Sequence, residues 1–426
     1  MKEIILLLFL SINITTYSQD YKFGKVSKDE LQEKFNPLDS SANATYLYKY
    51  RKTHFEYRKD DGFVLVTDIH ERLKIYNQEG FSYATNSVLA YKNGGIKEKV
   101  TGLKAYTYNL VNNKIEEDKL KKDAIFDTEI SKFRDEVKFT MPNIKIGSII
   151  EYKYKIVSPF ATNVDEFVFQ HDIPVKKIEA RFEAPEYYKF KLNAKGFLNI
   201  VPEQETSQDK IEFTTKIRPK AGIASNKTSS YSTSRVEFTK HIWKYNLSNI
   251  PALKSEPFVN NINNYRSSVK YELSYTQFPN TSMEYYSTTW EDVVKTIYES
   301  EDFGRELEKS NYYKDDIDKL LANNSNPQEI IGLIYNYVKT QVKWNGYYSK
   351  YTNKGVRKAY NDQVGNVAEI NLMLTSMLRY AGVNSNPVLV STRQNGIPLF
   401  PTREGYNYVI SCVEVPKGGH IIGRNG

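Results

Sequence analysis

The stretch GNVAEINLMLTSMLRYAGVNSNPVLVS, residues 365–391, decides how the C-terminal part of the chain folds. Ile370, Met373, Leu374, Met377, Leu378 and Ala381 recur at helical spacing and predict a helix from about Val367 to Ala381. Gly382 is a ready left-handed cap, and Pro387 leads into a strand at Val388 to Ser391. Upstream, Asn326-Pro327-Gln328-Glu329 reads as a helix start in which Asn caps, Pro takes the first position and Glu completes a capping box. Ile330, Ile331, Leu333, Ile334, Tyr337 and Val338 give that helix its apolar stripe. Thr289-Trp290-Glu291-Asp292 opens an earlier helix. Downstream, Asn395-Gly396 turns and Tyr408 to Val415 forms a second strand. Residues 283–426 therefore read as an α+β domain.

From Ala44 to about Phe278 the period changes to two. Tyr46, Tyr48 and Tyr50 alternate, as do Phe63, Leu65, Thr67 and Ile69 after a turn at Asp61-Gly62. Asn112-Asn113 marks another hairpin, and Ser148 to Val157 keeps the alternation. Residues 43–282 are thus expected to be a β-rich domain: one antiparallel β-sandwich, or two side by side. Residues 219–235, rich in Ser, Thr, Lys and Gly, read as a surface loop.

The first residues bear on compartment. Ile4 to Leu10 is an apolar run far shorter than the roughly 20 residues of a membrane span. Thr16-Tyr17-Ser18 ahead of Gln19 fits a small-x-small cleavage site, so residues 1–18 read as a signal peptide and 19–42 as a polar lead-in. The expected chain is exported, periplasmic or extracellular, with no transmembrane segment after cleavage. A formal charge of +8 over 426 residues is mild, and the lysines form no basic groove for nucleic acid. One cysteine, Cys412, excludes an internal disulfide.

The frame of residues 365–391, with the segments at Trp290 and at Ile330 to Trp344, resembles the transglutaminase-like superfamily, which has a papain-like fold. There, Gly-x-Cys begins a helix that ends in an Ala-Gly or Leu-Gly turn and a strand. The β-rich region resembles the uncharacterised domain that commonly precedes transglutaminase-like domains in exported bacterial proteins. The resemblance implies a Cys-His-Asp set, and each of its positions differs here. The nucleophile position is Val367, which has no titratable proton. The His position is Tyr408, in Asn407-Tyr408-Val409, and a phenol with a pKa near 10 is a poor base at neutral pH. The acid position falls near Gly423, with no Asp between Glu414 and the end. Further strands belong to such a sheet, so the domain reads as degenerate and incomplete at its C-terminus.

Other residues offer little replacement chemistry. Cys412 shares a strand face with Tyr408 but reads as an ordinary core thiol. His54, His70, His171 and His241 are isolated in strand-like sequence, and His420 lies in a Gly-rich tail that reads as mobile. Asp362 and Glu369 flank Val367, but Glu369 is explained by the helix dipole. No cofactor or metal is predicted. Trp344, Tyr347, Asn366, Glu369 and Asn407 are the candidate groove around Val367. The expected role is binding or scaffolding at the cell envelope, with a protein, peptide or glycan as partner. Two alternatives stand beside it: a transglutaminase-like peptidase or acyltransferase using residues such as Cys412, and a glycan-binding β-sandwich protein.

Overall fold

The computed structural model describes residues 21–217, 230–286, 289–415 and 418–423. The expected signal peptide and residues 219–229 of the expected loop lie outside the described residues. In the N-terminal part, helix α1 (Lys28–Gln32) is followed by strands β1 (Ala44–Arg58), β2 (Gly62–Ile75), β3 (Thr85–Asn93), β4 (Ile96–Lys97), β5 (Lys99–Val111) and β6 (Lys114–Lys119). After these come β7 (Ile125–Ser131), β8 (Arg134–Thr140), β9 (Ile149–Ser158), β10 (Phe167–Val168) and β11 (Val175–Pro185). The region ends with β12 (Tyr188–Lys195), β13 (Glu203–Ile217), β14 (Ser230–Ile250), β15 (Ser268–Thr276) and β16 (Glu284–Tyr285).

One large sheet runs β13-β14-β11-β1-β2-β9-β5-β6. Its neighbours are antiparallel except β1 and β11, which pair in parallel. Two smaller sheets pack against it, β10-β15-β12 and β4-β3-β8-β7. Phe182 of β11 and Tyr245 of β14 meet Phe167, Val269 and Tyr271 in one core. Leu73, Ile75, Ile150 and Tyr152 meet Val88 and Phe139 in the other. The expected pair of sandwiches therefore exists, and the two share a sheet. Asn112 and Asn113 both have positive φ (48° and 60°), the twist a two-residue hairpin needs to join β5 and β6.

Two expectations from low-complexity sequence are corrected. Residues 230–235 are strand, paired with β13 from Ser230 opposite Ile217 onward. This end of β14 pairs only with β13, and residues 230–235 carry no apolar alternation that would announce a strand in the sequence. The lead-in is also more than polar linker. Ser27 and Glu30 cap α1 reciprocally, and Val26 and Leu31 pack on Leu47, Tyr108 and Ile149.

A buried ionic network holds this lead-in down. Arg72, 1% exposed, donates to Glu151 at 2.9 and 2.7 Å, to Glu30 at 2.7 Å and to the Lys22 carbonyl at 2.9 Å. Glu151 also accepts from the Gly24 amide at 2.8 Å and pairs with His70 Nε2 at 2.8 Å. Nearby, Lys74 Nζ donates to the carbonyls of Leu31 and Gly147, both at 2.6 Å, and burial lowers its pKa to about 8.

The C-terminal part contains α2 (Trp290–Tyr298), α3 (Gly304–Glu308), α4 (Lys314–Leu321), α5 (Pro327–Gln341), α6 (Val356–Asp362) and α7 (Val367–Tyr380). Its strands are β17 (Lys343–Trp344), β18 (Val364–Gly365), β19 (Ser385–Val390), β20 (Tyr408–Val415) and β21 (Gly418–Ile422). Every residue of α7 from Val367 to Leu378 is buried, because α3, α5 and α6 surround it on one side and the β19-β20-β21 sheet covers the other. The stripe read from the sequence marks only part of that surface. Asn326 caps α5 through the Gln328 amide (3.0 Å), but Glu329 bonds the side chains of Asn324 and Asn326, so the expected capping box does not close. The Gly-rich tail expected to be mobile forms β21, with His420 opposite Val413.

Burial alone would raise the Glu151 pKa, but the His70 hydrogen bond and the Arg72 charge outweigh it and hold the carboxyl below its ordinary 4.5. A depressed carboxyl contributes stability that is complete above pH 4.5 and disappears as pH falls through the folded-state value. E151Q removes the fully buried carboxylate of the two that Arg72 contacts, leaving it Glu30, and should lose about 3 kcal/mol in urea unfolding at pH 7. Its stability should also fall less steeply than wild type below pH 4.5; parallel acid limbs for the two proteins would refute this role of Glu151.

Candidate functional site

The N-terminus of α7 is organised by one carboxylate. Glu369, 2% exposed, accepts through Oε1 from the amides of Asn353 (3.0 Å), Lys354 (2.6 Å) and Gly355 (3.1 Å). Its Oε2 accepts from the Asn366 amide (2.7 Å), and Asn366 Oδ1 returns a bond from the Glu369 amide (2.9 Å). A negative charge here also suits the positive end of the helix dipole. Glu306 does a similar task next door, accepting from the Val356 amide at 2.7 Å. Gly355, at φ +87°, permits the turn between the two carboxylates.

This clamp fixes the segment 347–353, which walls a cavity of about 320 Å³ between the two parts of the molecule. Tyr347, Tyr348, Ser349, Lys350, Tyr351, Asn353, Asn366, Asn395, Tyr406 and Asn407 line it from the C-terminal part. Tyr91, Ile130, Ser131, Phe133 and Arg134 line it from the sheet β4-β3-β8-β7. Lys132 fastens the seam: its amide donates to Asn353 Oδ1 (3.1 Å) and its Nζ meets Asp302 (2.5 Å). Lys350 Nζ donates to the Tyr406 carbonyl (3.0 Å). Among the described residues the lining contains phenols, amides, hydroxyls and two cations, with no thiol, imidazole or carboxylate. Such a surface holds a ligand by stacking and hydrogen bonds.

Of the candidate groove residues, Tyr347, Asn366 and Asn407 do line the cavity. Trp344 stands behind it, its indole N–H donating to the Tyr347 carbonyl (3.0 Å) and its ring 5.1 Å from Tyr348. Glu369 does not face the cavity, because both oxygens are turned to backbone amides. Val367 is fully buried and its amide donates to the Tyr347 carbonyl (3.3 Å). Two amides at the helix start, those of Val367 and Glu369, are therefore already engaged. Tyr408 is buried 5.8 Å from Tyr348, and burial, with the Tyr348 phenol adding, raises its pKa. At Gly423 a Cβ would come within 2.6 Å of the Ile410 side chain, which leaves no space for an acid without movement.

The remaining candidates lie apart. Cys412 stands four residues beyond Tyr408, about 13 Å along the strand, opposite Asn386 and Ile421 and outside the cavity. Asp362 pairs with Lys358 (2.9 Å) and does not meet Glu369. His54, His171 and His241 have lowered pKa values from burial, with nearby lysines adding, and His70 pairs with Glu151. No group of three metal-ligating side chains occurs among the described residues. Sequence reasoning missed Lys350, Asn353, Tyr91, Phe133 and Arg134, since no local pattern records a cavity made by docking two regions.

Comparison with known proteins follows this division. Residues 65–223 match the Domain of Unknown Function DUF3857, and residues 316–421 match the Transglutaminase-like superfamily. The chain thus carries a DUF3857 region followed by a transglutaminase-like domain. A crystal structure described as "a putative protease" from Parabacteroides distasonis has the same fold, with a TM-score of 0.61 at 14% identity over 90% of this chain and 67% of that one. Another, of "a putative nutrient binding protein" from Legionella pneumophila, covers 80% of this chain and 94% of that one at 11% identity, with a TM-score of 0.21. No curated protein matches.

The clamp is testable directly. E369A removes the acceptor of four backbone N–H groups and should cost about 3 kcal/mol or more in urea unfolding, with E369Q intermediate. A loss below about 1 kcal/mol would mean that the amides find other partners.

Proposed function

We propose that this chain is an exported, catalytically silent transglutaminase-like protein that binds a peptide or glycan of the cell envelope in the cavity beside α7. What carries the reading is the lining: five tyrosines, four asparagines and two cations face a space that has no thiol, imidazole or carboxylate among the described residues. Val367 and Tyr408, where the family resemblance places the nucleophile and the His, are buried, and the Val367 amide donates to the Tyr347 carbonyl. Export rests on the apolar run Ile4 to Leu10 and the small residues before Gln19. No helix among the described residues is long and apolar enough to cross a membrane.

The enzyme alternative is disfavoured by place. Cys412 has Asn386 and Ile421 across the ladder and no base among the residues opposite it. Thermal unfolding against cell-wall peptides and glycans should show one ligand class raising the midpoint, as any native-state ligand must. Y348A should abolish at least half of that rise while leaving the unliganded midpoint nearly unchanged, because Tyr348 is 45% exposed. No shift with any ligand, or an undiminished shift in Y348A, would overturn the binding site. Amine incorporation into a glutamine peptide that disappears in C412A would overturn catalytic silence.

A further inference from the structure

A second depression, of about 520 Å³, lies on the solvent side of the large sheet and shares no lining residue with the cavity beside α7. Its floor comes from adjacent strands in register, with Tyr50 opposite His70 and His70 opposite Lys153. Tyr21 from the lead-in stacks on Tyr48 at 4.8 Å and 10°, and Tyr48 continues the stack to Tyr50 at 6.4 Å and 21°. The result is a terrace of rings, of which Tyr50 is half-buried and open to the depression.

The charge around this terrace is unbalanced. Lys155 is paired with Asp68 (2.9 Å) and Lys52 with Glu183 (3.3 Å). Lys153 has no carboxylate partner among the described residues, and its Nζ lies 4.4 Å over the Phe23 ring. Directly across the ladder from it, beside the lining rather than part of it, stands Lys104, exposed and likewise without a carboxylate partner among the described residues. Like charges directly opposite on a sheet are destabilising, and an anion bound between them removes that cost.

We propose that this depression binds an acidic oligosaccharide, with a sugar face on Tyr50 and a ring carboxylate against Lys153 and Lys104. Aromatic faces pack the C–H surface of a pyranose, and lysines supply point charges for its carboxylate. The inference is independent of the ligand assigned to the cavity beside α7. A stripe of charge for nucleic acid is absent among the described residues here, since Asp68 and Glu183 sit beside the other two lysines.

The test is calorimetric titration of the purified chain with tetragalacturonate, maltotetraose and tetraglutamate. Tetragalacturonate should bind, more weakly as salt rises, and in preference to both others. K153M and K104M should each weaken it roughly two- to fivefold, the range of an exposed ion pair. Melting curves matching wild type would show that both lysine variants fold. No binding of tetragalacturonate, equal binding of maltotetraose or tetraglutamate, or full affinity in both folded lysine variants would overturn the proposal.

Discussion

The Glu369 carboxylate is the point on which the C-terminal architecture turns. It closes the cap of the central helix and holds three consecutive amides of the loop before α6. A buried charge without partners is strongly unfavourable, so the loop has little freedom to leave once the helix has formed. The loop in turn sets Tyr347 to Tyr351, and those residues make the wall of the cavity. A helix start commonly favours an anion. In this molecule a built-in carboxylate already occupies that electrostatic role, with a valine at the neighbouring position where the family resemblance places a thiolate.

Two seams hold the halves together. Lys132 joins Asn353 and Asp302 at the cavity. Farther along, Arg393 donates to the carbonyls of Asn260 and Val259, and Asn264 Oδ1 accepts from the Ile397 amide at 2.8 Å. The long connection between β19 and β20 is thereby pinned to the β-rich part, and with it Asn395, Tyr406 and Asn407. The cavity is a product of docking, so its shape depends on both halves.

Much of this was legible in residues and some was not. The Asn366–Glu369 cap, the helix from Val367 and the strand Tyr408–Val415 follow from short-range rules of capping and periodicity, and they appear where those rules place them. Glu369 was readable as a dipole partner, yet its three bonds to residues 353–355 depend on a turn that the sequence does not announce. Residues 230–235 and 418–422 lacked an apolar alternation, so their strand character comes from pairing with a neighbour. Tyr91, Phe133 and Arg134 reach the cavity from a hairpin more than 200 residues away in sequence from Tyr347. Periodicity cannot carry that information.

The parallel pairing of β1 with β11 has a kinetic side. Tyr46 lies against Val175, a separation of 129 residues (175 − 46) at the middle of the large sheet. The antiparallel partners β1 and β2 meet across a turn of three residues and need not wait, whereas β11 must return over everything between. Contacts of such long range slow folding because loop entropy is lost before the contact repays it. As the chain emerges from its N-terminus, β1 would spend that interval as an open edge, and β11 with the β13–β14 arm would close it last.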